Sequence, residues 1–305
     1  MKNIYYASCG AGTIHACRWE PDGKPKGIVQ IIHGIAEHAK RYDRFARFLC
    51  QHGYLVVAED HMGHGESADK GSTLGYFHGG WFCAVKDSMR LLNATKREYP
   101  GVPYVLFGHS MGSFMARTIL QEYPDSGIAG CIICGTGWMP RSILRAGLLI
   151  STKVAKSGGE SEPSPKLQKI VFGGYNKKVE HVRTEFDWLT RDNEIVDEYI
   201  ADPKCGFVAT AGLLRDMLSG MIHIQEKGNL KKMQKDMPVL FIAGGDDPVG
   251  NYGKGVQKTA QMFEKVGMLQ VNSRIYPLCR HEILNELNYL EIYDDVIEWL
   301  QKTFE

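Results

Sequence analysis

The sequence has no surplus of charge. Its 36 basic and 35 acidic side chains leave a formal net charge of +1. That removes the electrostatic case for nucleic acid or an acidic membrane surface as partner. It also lacks any apolar stretch approaching the ~20 residues needed to cross a bilayer. The opening residues MKNIYYASCGAG hold no apolar run that could serve as a signal-peptide core. The expectation is a cytoplasmic protein, with at most a transient, peripheral contact to a membrane or micelle. Internal repeats and long low-complexity segments are missing as well. Eight cysteines are present, but they are scattered, and the only close pair is Cys131 and Cys134. In a strand, positions three apart point to opposite faces, so these two thiols cannot share a ligand. No second Cys or His pair completes a zinc pattern, so no metal site is expected.

Ordinary globular composition fills the rest, with 44% hydrophobic and 23% charged residues over 305 positions. Short apolar runs at 27–32, 54–58, 104–107, 128–134, 239–243 and 271–276 read as strands buried on both faces, which is the mark of a parallel sheet. Amphipathic helical patterns at 41–51, 81–98, 114–122, 255–265 and 285–304 alternate with them. Near the N-terminus, 4–8 and 13–19 flank the turn residues Gly10, Ala11 and Gly12 and read as an edge hairpin. Strands alternating with helices imply an α/β fold with a doubly wound, mostly parallel sheet. The alternation breaks between Thr136 and Asp236, where helical patterns at 142–156, 166–171, 181–190, 195–200 and 207–226 replace it. This stretch, 136–235, is expected to be a helical cap inserted into a core made of 1–135 and 236–305.

The motif with chemical content is VLFGHSMGSF, 105–114. A Gly-x-Ser-x-Gly between an apolar strand and a helical pattern is the nucleophile elbow of the α/β-hydrolase fold. Glycines two residues before and after Ser110 let strand and helix pass closely, and the hydroxyl stands clear of the sheet. A neutral serine needs a base, and the base needs an orienting acid. In this fold the order along the chain is serine, acid, histidine. Asp246 and Asp247 follow the run 239–243, and His281 follows 271–276. Asp247 is the favoured acid, because Pro248 biases it to an extended conformation; Asp246 is the alternative, placed to cap the turn. The oxyanion donors are expected to be the backbone N–H of Met111 and that of Ile35, after the His33-Gly34 turn. His61 and His64, with Asp60, invite a metal reading, but no other ligand cluster accompanies them, and they read as a rigid loop beneath the site.

These residues carry a family resemblance. HGIAEHAKRY at 33–42, DHMGHGES at 60–67, GHSMGS at 108–113, GGDDPVG at 244–250 and RHEILNE at 280–286 resemble the monoacylglycerol lipase and lysophospholipase branch of the α/β-hydrolases. The stretch DWLTRDNEIVDEYIADPKCGF at 187–207 is similar to its bacterial members. The resemblance implies a cofactor-free carboxylic-ester hydrolase with Ser110, Asp247 and His281 as triad and Ile35 and Met111 as oxyanion hole. It implies a monoacylglycerol or lysophospholipid-like substrate. Esters or amides of small or aromatic acyl groups, or acyl transfer, remain alternatives on the same triad. Within the cap, Leu148, Leu213 and Met217 are the expected substrate-binding residues, lining an apolar acyl tunnel.

Overall fold

The computed structural model describes residues 1–68 and 73–304. Eight strands form one sheet: β1 (Lys2–Ala7), β2 (Thr13–Trp19), β3 (Gly27–Ile32), β4 (Tyr54–Glu59), β5 (Tyr104–His109), β6 (Gly130–Cys134), β7 (Val239–Gly244) and β8 (Val271–Tyr276). Their spatial order is β1-β2-β4-β3-β5-β6-β7-β8. The β1–β2 and β2–β4 pairs are antiparallel, and the five remaining pairs are parallel. This is a doubly wound sheet with an antiparallel edge.

Alternation along each strand builds two cores. In β3, Ile28 and Ile32 face one side, while Val29 and Ile31 face the other. The first side is covered by α2 (Trp81–Glu98), α3 (Met111–Glu122) and α9 (Lys254–Lys265), through Trp81, Phe114 and Phe263. The second is covered by α1 (Asp43–Gln51) and α10 (Tyr289–Phe304), through Phe45 and Tyr293. Both faces being dry explains why the central strands read as unbroken apolar runs.

β8 departs from that rule. It was expected to be buried on both faces, yet Asn272, Ser273 and Arg274 are exposed. It is the last strand in the order, and polar side chains on an edge strand discourage pairing with another chain.

Between β6 and β7 the chain forms α4 (Arg141–Gly158), α5 (Pro165–Phe172), α6 (Asn193–Ala201), α7 (Ala211–His223) and the short α8 (Lys227–Leu230). Two expected helices change here. The pattern at 181–190 forms turns, because the Asp187 carboxylate accepts the Arg183 and Thr184 backbone N–H groups and the Thr184 hydroxyl. The pattern at 207–226 narrows to α7, because the Thr210 hydroxyl accepts the Leu213 N–H at 3.1 Å and caps the helix there. Phe207, Val208 and Ala209 are thereby left outside it.

Candidate active site

β5 delivers its chain directly into α3 through Ser110, whose backbone sits at φ 52°, ψ −118°. A side chain rarely tolerates positive φ, so the surroundings must hold it there. They do so through backbone approach. A Cβ on Gly108 would lie 2.5 Å from the Gly112 carbonyl oxygen, and one on Gly112 would lie 1.9 Å from that of Ile32. The Ser110 N–H donates to the Cys134 carbonyl at 3.0 Å. As the first residue of α3, Met111 has one of the backbone N–H groups without an acceptor inside the helix. The turn after β3 runs close by: a Cβ on Gly34 would lie 3.1 Å from the Ser110 Cβ. Ile35 lines the same pocket as Ser110.

His281 and Asp247 lie on the loops after β8 and β7. His281 Nδ1 and Asp247 Oδ1 are 3.0 Å apart, and both side chains are buried. Their approach is bent away from ideal hydrogen-bond geometry. The other role of Asp247 Oδ1 is to accept the Val249 N–H at 2.8 Å. Asp246 is exposed and its backbone N–H donates to the Cys279 carbonyl. The structure therefore brings Asp247 to His281 and leaves Asp246 outside.

A buried ionic network ties these loops together. The Glu37 carboxylate accepts the Gly34 N–H at 2.6 Å and the Tyr42 hydroxyl at 2.9 Å, lies 3.1 Å from His109 Nδ1, and accepts Arg41 at 2.9 Å. Arg41 donates two further hydrogen bonds to Glu282, at 2.6 and 2.8 Å. Burial disfavours charge on each group, but mutual attraction wins. Glu37 and Glu282 are held below the usual carboxylate range by His109 and Arg41, and His109 is raised above the usual imidazole value by Glu37. The His281 ring packs between His109 and Trp188, with centroids 4.8 and 5.0 Å away. This network escaped the sequence reading. Its available signal was the pair Glu37 and Arg41, spaced one helical turn apart inside a motif otherwise read for its backbone.

A pocket of about 380 Å³ opens on Ser110 and His281. Phe172, Phe186, Trp188 and Phe207 wall it, and the exposed Lys169 and Glu185 border it. The expected substrate residues stand elsewhere. Leu213 and Met217 are buried in the core beside α3, and Leu148 is half-buried on α4; none of the three reaches the pocket. The reason is that α7 packs against α3 and α4, so its apolar face is consumed by packing, while the non-helical 206–209 stretch supplies the wall. Below the site, His33, His61 and His64 form a stack, with the first two ring centroids 3.9 Å apart. Burial depresses all three, His61 to about 4 and His64 to about 3.

A sheet wound in this order, with a strained serine turn at the carboxyl ends of its strands, defines the α/β-hydrolase class, and the chain is a serine hydrolase of that class. It belongs to the Hydrolase_4 family, described as "Serine aminopeptidase, S33", whose model matches residues 23–288. It is 27% identical to the monoacylglycerol lipase of Mycolicibacterium smegmatis, covering 97% of this chain and 95% of that protein. It is also 27% identical to the monoglyceride lipase of Homo sapiens, over 89% and 84% of the two chains. A crystal structure of a highly thermostable carboxyl esterase from Bacillus coagulans, in complex with glycerol, superposes with a TM-score of 0.92 at 28% identity, covering 100% of this chain and 99% of that one. No described helix is long and apolar enough to cross a membrane.

Proposed function

We propose that the protein hydrolyses carboxylic esters of single-chain lipids, monoacylglycerol or lysophospholipid-like, through an acyl-enzyme on Ser110. The observation that carries this reading is the pocket of about 380 Å³ that meets both Ser110 and His281 and is walled by aromatic side chains. That volume lies within the range of about 300–1,000 Å³ typical of small-molecule sites. In the first step His281 takes the Ser110 proton as the hydroxyl oxygen attacks the ester carbonyl. Asp247, 3.0 Å from Nδ1, orients the ring and stabilises its cation. The Ile35 and Met111 N–H groups receive the oxyanion. His281 then protonates the departing alcohol, and water repeats the sequence to release the acid. The segment 136–235 acts as the cap that selects the acyl group. Its exposed Ile143, Leu149, Ile150 and Ile170 supply a transient contact to a micelle or membrane surface.

Nitrophenyl esters from acetyl to palmitoyl test the substrate class. Rates are expected to peak at medium or long chains. A peak at acetyl with nothing by octanoyl would replace the lipid reading with a small-ester one. Phe172→Ala should raise KM for a decanoyl ester about tenfold, since burial of one large apolar side chain is worth about 1.5 kcal/mol or more, and should leave the acetyl ester unchanged.

A further inference from the structure

We propose that His38, Asp202 and Cys205 form a binding site for one zinc-type divalent cation, at the seam between the turn after β3 and the turn after α6. The His38 ring nitrogen, an Asp202 carboxylate oxygen and the Cys205 sulfur all lie within 4.8 Å of one another. A tetrahedral ion with bonds of about 2.0–2.3 Å holds its ligands roughly 3.5 Å apart. Closing the cluster onto an ion therefore takes side-chain rotations of about 1 Å at its widest pair.

The ligands are already oriented. Asp202 and Cys205 share one tight turn, in which the Cys205 N–H donates to the Asp202 carbonyl at 3.0 Å. Asp202 Oδ1 accepts the Lys204 N–H at 2.8 Å, while Oδ2 faces His38 Nε2 at 2.8 Å. One carboxylate oxygen is thus fixed by backbone, and the other is held against His38 by a hydrogen bond that an ion would replace, opening that pair by somewhat less than ~1 Å to the ligand spacing above. His38 and Cys205 are buried, whereas the Asp202 side chain is 34% exposed and leaves a path for entry. Mixed nitrogen, oxygen and sulfur donors favour zinc-type ions over magnesium or calcium. Three protein ligands leave a fourth position for water.

Proton balance is simple. Burial raises the Cys205 thiol, Arg41 opposes that, and Asp202, Glu37 and Glu282 add to it; the free thiol is protonated at neutral pH. Binding converts the S–H into an S–metal bond and releases that proton to water. The His38 Nε2–H, which donates to Asp202 Oδ2 in the free protein, is lost as well: that hydrogen bond breaks, the ring proton transfers through water to Nδ1, and the freed Nε2 lone pair takes the ion. Affinity therefore rises with pH. The ion would sit behind the pocket wall, because the same seam already carries the Gly206 N–H and Tyr199 hydroxyl, both donating to the Ala36 carbonyl at 3.0 and 2.8 Å.

Chelator-treated full-length protein titrated with Co²⁺ tests this. One equivalent should produce a thiolate-to-cobalt band in the near ultraviolet and the visible bands of a tetrahedral ion, both displaced by Zn²⁺. Cys205→Ser should remove the near-ultraviolet band, and His38→Gln should weaken binding at least ~100-fold, since even outer-shell changes weaken sites 10–100-fold. Cys279→Ser should change nothing. Zn²⁺ should raise the Tm of the parent protein and not that of Cys205→Ser. Should Cys205→Ser not fold, Asp202→Asn serves in its place, with binding weakened by a similar factor. Absence of the band, or its survival in Cys205→Ser, overturns the proposal. None of these readouts uses ester hydrolysis, so their failure leaves the proposed activity standing.

Discussion

The turn at Ser110 and the helices between β6 and β7 face each other across one pocket, yet they are held by different means. Around Ser110 the fit is backbone against backbone: the glycines at 108 and 112 touch carbonyls and main-chain atoms that have nowhere to move. Beneath it, Glu37, His109 and Glu282 are buried, and Glu37 and Glu282 pair with the half-buried Arg41. The helical segment is fastened to the frame along its middle, where the Gly206 N–H and the Tyr199 hydroxyl donate to the Ala36 carbonyl at 3.0 and 2.8 Å. Arg280 donates to the Asp187 and Thr190 carbonyls at 2.6 and 2.9 Å, locking the stretch beside Trp188 to the His281 loop. α4, by contrast, leaves Ile143 and Leu149 more than half exposed. The lesson is a division of labour. Reacting groups need positions fixed to fractions of an ångström, whereas an acyl chain needs only apolar wall, which many sequences supply.

The hardest test of that division is chemical. Ser110→Ala and His281→Ala should each lower kcat by roughly 10⁶-fold, with the circular dichroism spectrum unchanged. Asp247→Asn should cost about 10⁴-fold, while Asp246→Asn should stay within about twofold, as for an exposed surface change. Equal losses from the two aspartates would dissolve the geometric distinction between them.

Stability supplies the next contrast. Gly112→Ala places a Cβ 1.9 Å from the Ile32 carbonyl oxygen and 2.6 Å from that of His33. Both are backbone atoms, so relief requires moving β3 against α3. A loss of about 3 kcal/mol or more in urea unfolding is expected. A loss below about 1 kcal/mol would show the elbow to be softer than described.

The rigid side should also carry the pH response. Buried His33, His61 and His64 have depressed values, with His61 at about 4 and His64 at about 3. Between their ordinary value of about 6.5 and those values, the unfolded chain binds protons that the folded chain does not, so stability falls as pH drops. Raised carboxyls act in the opposite sense. Glu59, pushed up to about 7 by burial, favours the folded state as pH falls from there, and Asp87 and Asp216, raised from 3.8 by burial, add to it only towards the low end; the raised His109 acts only above about 6.5. Three imidazoles depressed across the window outweigh the one carboxyl raised across it, which leaves a net fall in Tm from about pH 6.5 towards 4.5. His64→Gln should flatten that fall, and Glu59→Gln should steepen it. An unchanged slope in both variants would contradict the burial of this layer.

The same difference explains what could be read beforehand. The Ser110 elbow, the order of serine, acid and histidine, and the alternating strands follow from local rules: glycine spacing, chain order and periodicity. Asp247 separates from Asp246 only when the turns after β7 and β8 are folded against each other, although Pro248 hints at it. The pocket wall was misassigned to Leu148, Leu213 and Met217 because a helical pattern does not say which helix face is consumed by packing. α7 spends Leu213 and Met217 on the core, and Phe207 reaches the pocket because the Thr210 cap starts the helix after it. Thr210 was a legible cap signal that the longer periodic pattern masked. The Glu37–Arg41–Glu282 network joins residues 241 apart in the chain, a distance no local pattern bridges.

The smallest expected effect has the opposite sign and sits on the other side of the pocket. Gly158 ends α4, and a Cβ there would meet nothing within 4 Å, with no positive φ to strain it. Alanine at such a site restricts the unfolded chain without crowding the folded one, and a gain of about 0.4–1 kcal/mol is expected. Hydrolysis rates should not change. Gly112→Ala and Gly158→Ala are the same chemical change, one methyl group at the end of a helix, so the difference between them measures only the surroundings. Should Gly158→Ala destabilise the protein as well, the end of α4 must be held by contacts as exacting as those at the elbow, and the cap would have to be counted part of the rigid frame.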